Sequence, residues 1–260
     1  MIEFEWYHWV ITLGGGFLAG FINTLAGNGS VVTLAILTDV LGLPGNIANG
    51  TNRIGVLFQS ISSTATFRFY GKLKWSESRL IVMWMFPGAI AGILTAMFIS
   101  NEGFMTVYKV LLVALLFTLI FKPSRWITPT DNRNKLPYWV RLTMILALGF
   151  YGGFIQMGMG LFFLAMLVVL LGYNLITANA IKILAVGAYT SIALLLFWWN
   201  GQVVWLAGLL LAFGQVPGGM AGAWFASRVP NAEKYIYRLL IVIILIAALS
   251  AFGVFSLAAS

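Results

Sequence analysis

The chain has no cysteine, one histidine and only seven acidic residues among 260. Without cysteine there is no disulfide framework and no thiolate metal site. Charged residues make up 8% of the chain, against about 25% in an ordinary soluble domain. Most of a water-facing surface is therefore missing. Hydrophobic residues reach 61% and mean hydropathy is +0.96. This composition implies an integral membrane protein with nearly all its mass in the bilayer and no soluble domain of useful size. The shortage of acids and histidine also weighs against an intramembrane enzyme, which needs a nucleophile and base or paired carboxylates. No cofactor and no metal are expected.

What is present is a series of apolar runs. A hydrocarbon core of about 30 Å takes about 20 residues of helix. In the first half the runs lie at 7–26, 31–41, 48–69, 78–99 and 104–121, and in the second at 138–157, 161–171, 177–199, 203–226 and 234–255. Eight are long enough to span; the second run of each half, at eleven residues, is short and reads as a half-helix or re-entrant segment. Such backbone is tolerated at membrane depth only where it is buried or lines a cavity. No period-two alternation supports a barrel. Glu3 and Glu5 stand where a cleaved signal would carry basic residues, so the first run is expected to be a retained helix.

The halves match each other. At an offset of 130, Gly42 meets Gly172, Ala48-Asn49 meets Ala178-Asn179, Gly71 meets Gly201, Trp75 meets Trp205 and Pro87-Gly88 meets Pro217-Gly218. Gly20-Phe21-Ile22 meets Gly153-Phe154-Ile155 at 133. This is an internal duplication. The net charge of +8 belongs to it: twelve of the fifteen basic residues lie in loops or helix ends, as the positive-inside rule distributes them, and nucleic acid is not an expected partner. The loop of Lys72, Lys74 and Arg79 is basic whereas its counterpart Asn200-Gly201-Gln202 is neutral, and Arg228, Lys234 and Arg238 sit opposite a loop holding only Glu102. Counterpart loops thus prefer opposite sides. The expected fold is an all-α polytopic membrane protein of two inverted-topology five-segment repeats, with glycine-broken or re-entrant helices at the start of each. The first repeat covers 1–121, a basic cytoplasmic linker 122–137 and the second repeat 138–260, and both termini lie on the non-cytoplasmic side.

Matching interruptions in the two halves of a polytopic chain point to a transport site. Gly27-Asn28-Gly29-Ser30 breaks the first half and Gly158-Met159-Gly160 the second. A helix that starts after such a break presents unpaired N–H groups and the positive end of its dipole, a ready anion site. Ionisable groups inside a membrane cost about 2.5–3.5 kcal/mol each on insertion scales. Here they are Arg53, Lys182 and Asp39. Two cations against one acid favour an anionic substrate. Asn23, Asn28, Gly29, Asn49, Thr51 and Asn52 in one half, with Gln156, Gly158, Gly160 and Asn179 in the other, complete the candidate set, the amides and hydroxyl being able to hold an oxyanion by neutral hydrogen bonds. Asp39, whose counterpart is Val169, is either an ion-pair partner of Arg53 or a coupling carboxylate. Lys182 could instead reach for an interface, and Gly88-x-x-x-Gly92 reads as a close-packing face. His8, between Trp6 and Trp9, reads as interfacial, and tryptophans at run ends suit an aromatic belt.

The stretches GFLAGFINTLAGNGS, LGLPGNIANGTNR and PGAIAG, with GFIQMGMG, TANAIK and PGGMAG in the second half, resemble the sulfite exporter TauE/SafE family, also called the 4-toluene sulfonate uptake permeases. The resemblance covers essentially the whole chain. It implies a permease or exporter of the prokaryotic inner membrane that moves sulfite, sulfonates or related organosulfur anions. Carried onto this sequence, the family motif selects Asn28, Asn49, Thr51, Asn52 and Arg53, with Gln156, Asn179 and Lys182. The expected activity is secondary transport by alternating access; an anion channel of the same architecture is the alternative. The expected partners are the small anion and the lipid bilayer, with a coupling proton or cation left open.

Overall fold

The computed structural model describes residues 5–73, 75–96, 137–154 and 159–251. Within them each predicted run becomes a helix. The first half supplies α1 (Trp6–Leu25), α2 (Ser30–Ala35), α3 (Gly45–Phe69) and α4 (Trp75–Ala96). The second supplies α5 (Tyr138–Phe154), α6 (Met159–Ala165), α7 (Leu175–Trp199), α8 (Trp205–Arg228) and α9 (Ala232–Ala251). No strand occurs among the described residues. The run at 104–121, the linker up to residue 136, and the candidates Gln156 and Gly158 lie outside them.

The two short runs are short in space too. α2 and α6 each pass into one π-helical turn, Ile36–Val40 and Met166–Leu170. The Leu41 N–H donates to the Ile36 carbonyl at 2.9 Å and the Leu171 N–H to the Met166 carbonyl at 3.0 Å. At 1.5 Å per residue these segments rise only about 17 Å, too little to cross a bilayer. α3 and α7, 25 residues each, rise about 37 Å. Both end in the same way. Gly71 and Gly201 take left-handed φ of +67° and +69°, which glycine adopts without steric cost. The following N–H groups of Lys72 and Gln202 donate back to the Phe67 and Phe197 carbonyls at 2.9 Å, closing a Schellman turn.

By length and composition, three described helices are apolar enough to cross a membrane: Ser78–Thr95 within α4, Leu175–Trp199 and Trp205–Arg228. α1 and α3 have the length, but α3 carries asparagines, serines and an arginine on its inward side. Exposed apolar side chains such as Val10, Phe17, Ile61, Met83, Leu195 and Phe213 cover the outside, and Trp6, Trp75, Trp139 and Trp199 stand exposed at helix ends. His8 closes the first turn of α1, its Nδ1 accepting the Glu5 N–H at 3.0 Å.

The first helix of each half packs most extensively on the fourth helix of the other half. Glycine makes this possible. A Cβ on Gly16 would sit 2.9 Å from the Leu211 carbonyl oxygen, and one on Gly20 2.9 Å from the Gln215 Cα. On the α4–α5 side, Gly88 and Gly92 face the Leu146 and Phe150 backbone, while Gly149 and Gly153 face Met85 and Ala89. In a bilayer, where apolar surface gains nothing by leaving lipid, such backbone approach supplies the van der Waals contact that holds helices together. The expected close-packing face at Gly88 and Gly92 is of this kind.

Candidate functional site

The two glycine breaks meet. Beyond α1 the chain turns at Gly27, whose φ of +84° is left-handed. A Cβ there would lie 2.6 Å from the Gly160 carbonyl carbon, and one on Gly160 2.9 Å from the Gly27 carbonyl carbon. Both positions require glycine for space, and Gly27 also for conformation. A small cavity of about 10 Å³ lies at this seam, lined among others by Asn23, Ser30, Met159, Lys182 and Tyr189. A cavity of that size holds about one water. A larger groove of about 470 Å³ opens between α4 and α5, lined by Trp84, Tyr138 and Arg141 among others. It includes neither glycine break and neither buried cation, whereas the smaller cavity touches both Gly27 and Gly160 and includes Lys182 but not Arg53.

Polar side chains weave the seam together. Asn23 Nδ2 donates to Gln59 Oε1 at 2.7 Å, Gln59 Nε2 donates to Thr24 Oγ1 at 2.9 Å, and Thr24 Oγ1 lies 3.2 Å from Ser63 Oγ. The Tyr189 hydroxyl reaches the Met159 sulfur at 3.6 Å. Lys182 is 1% exposed. Its Nζ donates to the Asn23 carbonyl at 2.9 Å, the Thr24 carbonyl at 3.1 Å and Asn179 Oδ1 at 2.7 Å. An ammonium has three protons to give, and here all three have partners. Lys182 does not reach an interface.

Arg53 is different. It is 3% exposed, and its Nε and Nη1 have no hydrogen-bond partner. Its guanidinium carbon lies 5.5 Å from the centroid of the half-buried Phe197 ring. Asn52 beside it is fully buried, with neither side-chain polar atom paired. Buried polar groups are nearly always satisfied, so these two adjacent exceptions make Arg53 and Asn52 candidates for contact with water or a solute. Asn28 Oδ1 and Asn179 Nδ2 are also buried and unpaired.

The remaining candidates spread out. Gly29 packs under α1, where a Cβ would sit 2.7 Å from the Asn23 Cβ. Thr51 Oγ1 accepts the Val204 N–H at 3.0 Å, which ties the start of α3 to the turn before α8. Asn49 is half-buried. Asp39 is exposed, and its carboxylate takes the Thr38 hydroxyl at 2.7 Å. No ion pair joins it to Arg53, so that expected pairing is corrected: Asp39, within the π-helical turn, is exposed, while Arg53 is buried. Gln59, Thr24, Ser63, Tyr189 and Gln215 escaped the sequence reading. A signal existed for α3, since Asn52, Gln59 and Ser63 recur at helical spacing within an apolar run. Gln215 rests against Gly55, where a Cβ would lie 2.7 Å from its Oε1.

The profile of the family described as Sulfite exporter TauE/SafE matches residues 12–251. The chain belongs to the sulfite exporter TauE/SafE family. Among curated proteins, the chain is 30% identical to the probable membrane transporter protein ORF9 of Sinorhizobium sp, over 87% of this chain and 85% of that protein. It is 28% identical to a probable membrane transporter protein of Haemophilus influenzae, over 88% of each. It is also 28% identical to the probable membrane transporter protein YfcA of Escherichia coli K12, over 79% of this chain and 76% of that protein. No solved structure matches significantly. Family and relatives are of membrane transporters rather than enzymes, and the apolar helices of this TauE/SafE chain are those of a membrane protein.

Proposed function

We propose that the protein is a secondary transporter of small sulfur-containing anions, such as sulfite or an organosulfonate, working in the prokaryotic inner membrane. The carrying observation is Arg53, a buried guanidinium with Nε and Nη1 unpaired. Arginine presents a planar fork of donors that matches an oxyanion, and a sulfonate or fully ionised sulfite head offers acceptors only. Asn52, Asn28 and Asn179, each with an unpaired polar atom in the interior, add neutral contacts. Lys182 and the helix starts after the two glycine breaks add positive potential from the cavity wall.

The reading extends to mechanism. The two halves are inverted repeats, with their linker cytoplasmic and both termini outside. A cavity of about 10 Å³ is too small for any sulfur oxyanion, so on this reading the anion binds in a different conformation. Loading requires the halves to part along the Gly27–Gly160 seam, first toward one side and then the other. This favours alternating access over a standing pore.

Counterflow tests the proposal. Proteoliposomes preloaded with unlabelled sulfite and diluted into labelled sulfite should accumulate label transiently above equilibrium. A channel gives no such overshoot, and a protein of unrelated activity gives no flux.

A further inference from the structure

We propose that Lys182 is the tethered occupant of a monovalent-cation cage at the end of α1, and that it positions the first glycine break rather than binding the transported solute. The cage is built from oxygen alone: the Asn23 carbonyl at 2.9 Å, the Thr24 carbonyl at 3.1 Å and Asn179 Oδ1 at 2.7 Å. The carbonyls belong to the last turn of α1 (Trp6–Leu25), where a helix leaves its final carbonyls without intrahelical partners and carries the negative end of its dipole. The chain turns back there onto Ile22, whose carbonyl takes both the Ala26 and Gly27 N–H groups.

All three acceptors are neutral. Carbonyl and amide oxygens in this arrangement replace the water shell of a small cation, as rings of carbonyls do for potassium in channels. A lysine reaching from α7 fills the place with a charge that cannot leave. Asn23 is fixed a second time through its side chain to Gln59, so the ammonium and that amide together set the end of α1 just ahead of Gly27. The aligned position of the first half is Asn52, so the device exists in one half only.

A cage of this kind should accept a free cation once its tether is cut. The test is thermal unfolding of purified Lys182→Ala in detergent, without any sulfur anion, in chloride salts of equal ionic strength. The variant should melt well below the parent. Methylammonium or ammonium should restore at least half of the lost melting temperature, through mass-action binding to the folded state, while tetramethylammonium restores none. Lys182→Met, whose side chain fills the space, should respond to none of them. Equal response to every cation, or response to none, in Lys182→Ala would overturn the proposal. If Lys182→Ala cannot be recovered folded, Asn179→Asp decides, because a carboxylate at this acceptor strengthens its bond to an ammonium. It should melt at or above the parent, and melting several degrees below would overturn the cage. The readout is stability without substrate, so it can fail while the transport reading stands.

Discussion

The Arg53 guanidinium lies 5.5 Å from the centroid of the Phe197 ring, and that ring stands where a counter-charge would be expected. In the other half, Ile183 occupies the position aligned with Arg53 and the aligned ring, Phe67, is fully buried. Phe197 is only half-buried. One half therefore carries an aliphatic side chain at this position, and the other lays a half-buried ring beside a buried cation.

A cation beside an aromatic face gains about 0.5–2 kcal/mol, more where water is excluded. An anion arriving at Arg53 competes with that contact. Phe197→Leu should lower the melting temperature of the anion-free protein and enlarge the rise that sulfite produces. Isothermal titration of both proteins checks it; weaker binding in the variant contradicts the competition.

The seam should tolerate no methyl group. Gly160→Ala and Gly27→Ala each force a Cβ into the opposing backbone, and overpacking of this kind costs about 1–3 kcal/mol. Gly14→Ala in α1 provides the contrast, because a methyl group there would meet nothing within 4 Å and alanine favours a helix over glycine by about 0.5–1 kcal/mol. Melting temperatures in detergent should fall for the first two and hold or rise for the third.

Gln59 bridges Asn23 and Thr24. Gln59→Leu leaves Asn23 Nδ2 buried without its partner and Thr24 Oγ1 with Ser63 alone, and an unsatisfied buried group costs about 1–3 kcal/mol. The variant should insert into membranes normally, unfold at lower temperature and transport poorly. Full stability in Gln59→Leu would show the network to be incidental.

Inverted topology has a direct assay in a chain without cysteine. Lys72→Cys and Asn200→Cys occupy matching turns of the two halves. An impermeant thiol reagent should label Lys72→Cys only from the cytoplasmic side and Asn200→Cys only from the other. Labelling of both from one side refutes the inverted arrangement.

Much of this was legible in the residues themselves. Apolar run lengths placed the described helices to within a few residues, and repeated glycines placed both short segments. The two glycine breaks could be matched from sequence because a break needs glycine whatever surrounds it, but the contact of Gly27 with Gly160 could not. Side-chain partnerships were less legible. Asp39 and Arg53 looked like a pair by charge alone, but Asp39 lies exposed in the π-helical turn at Ile36–Val40 while Arg53 is buried, and no sequence period announces that turn. Lys182 was readable as a buried cation, yet its acceptors are backbone carbonyls of Asn23 and Thr24, which every residue carries and no composition reveals. Gln59 was hidden for a simpler reason: a single amide in a long apolar run barely alters its hydropathy.

The most direct measurement is the thermal stability of the purified protein and of Arg53→Ala across sulfite, sulfate, thiosulfate, taurine, sulfoacetate and chloride. A ligand that binds only the folded state adds about 2.7 kcal/mol at a hundredfold excess over its Kd. The account predicts a rise in melting temperature with one or a few sulfur anions over chloride, lost in Arg53→Ala. An equal rise in that variant, or no discrimination among the anions, would contradict an anion site built on Arg53.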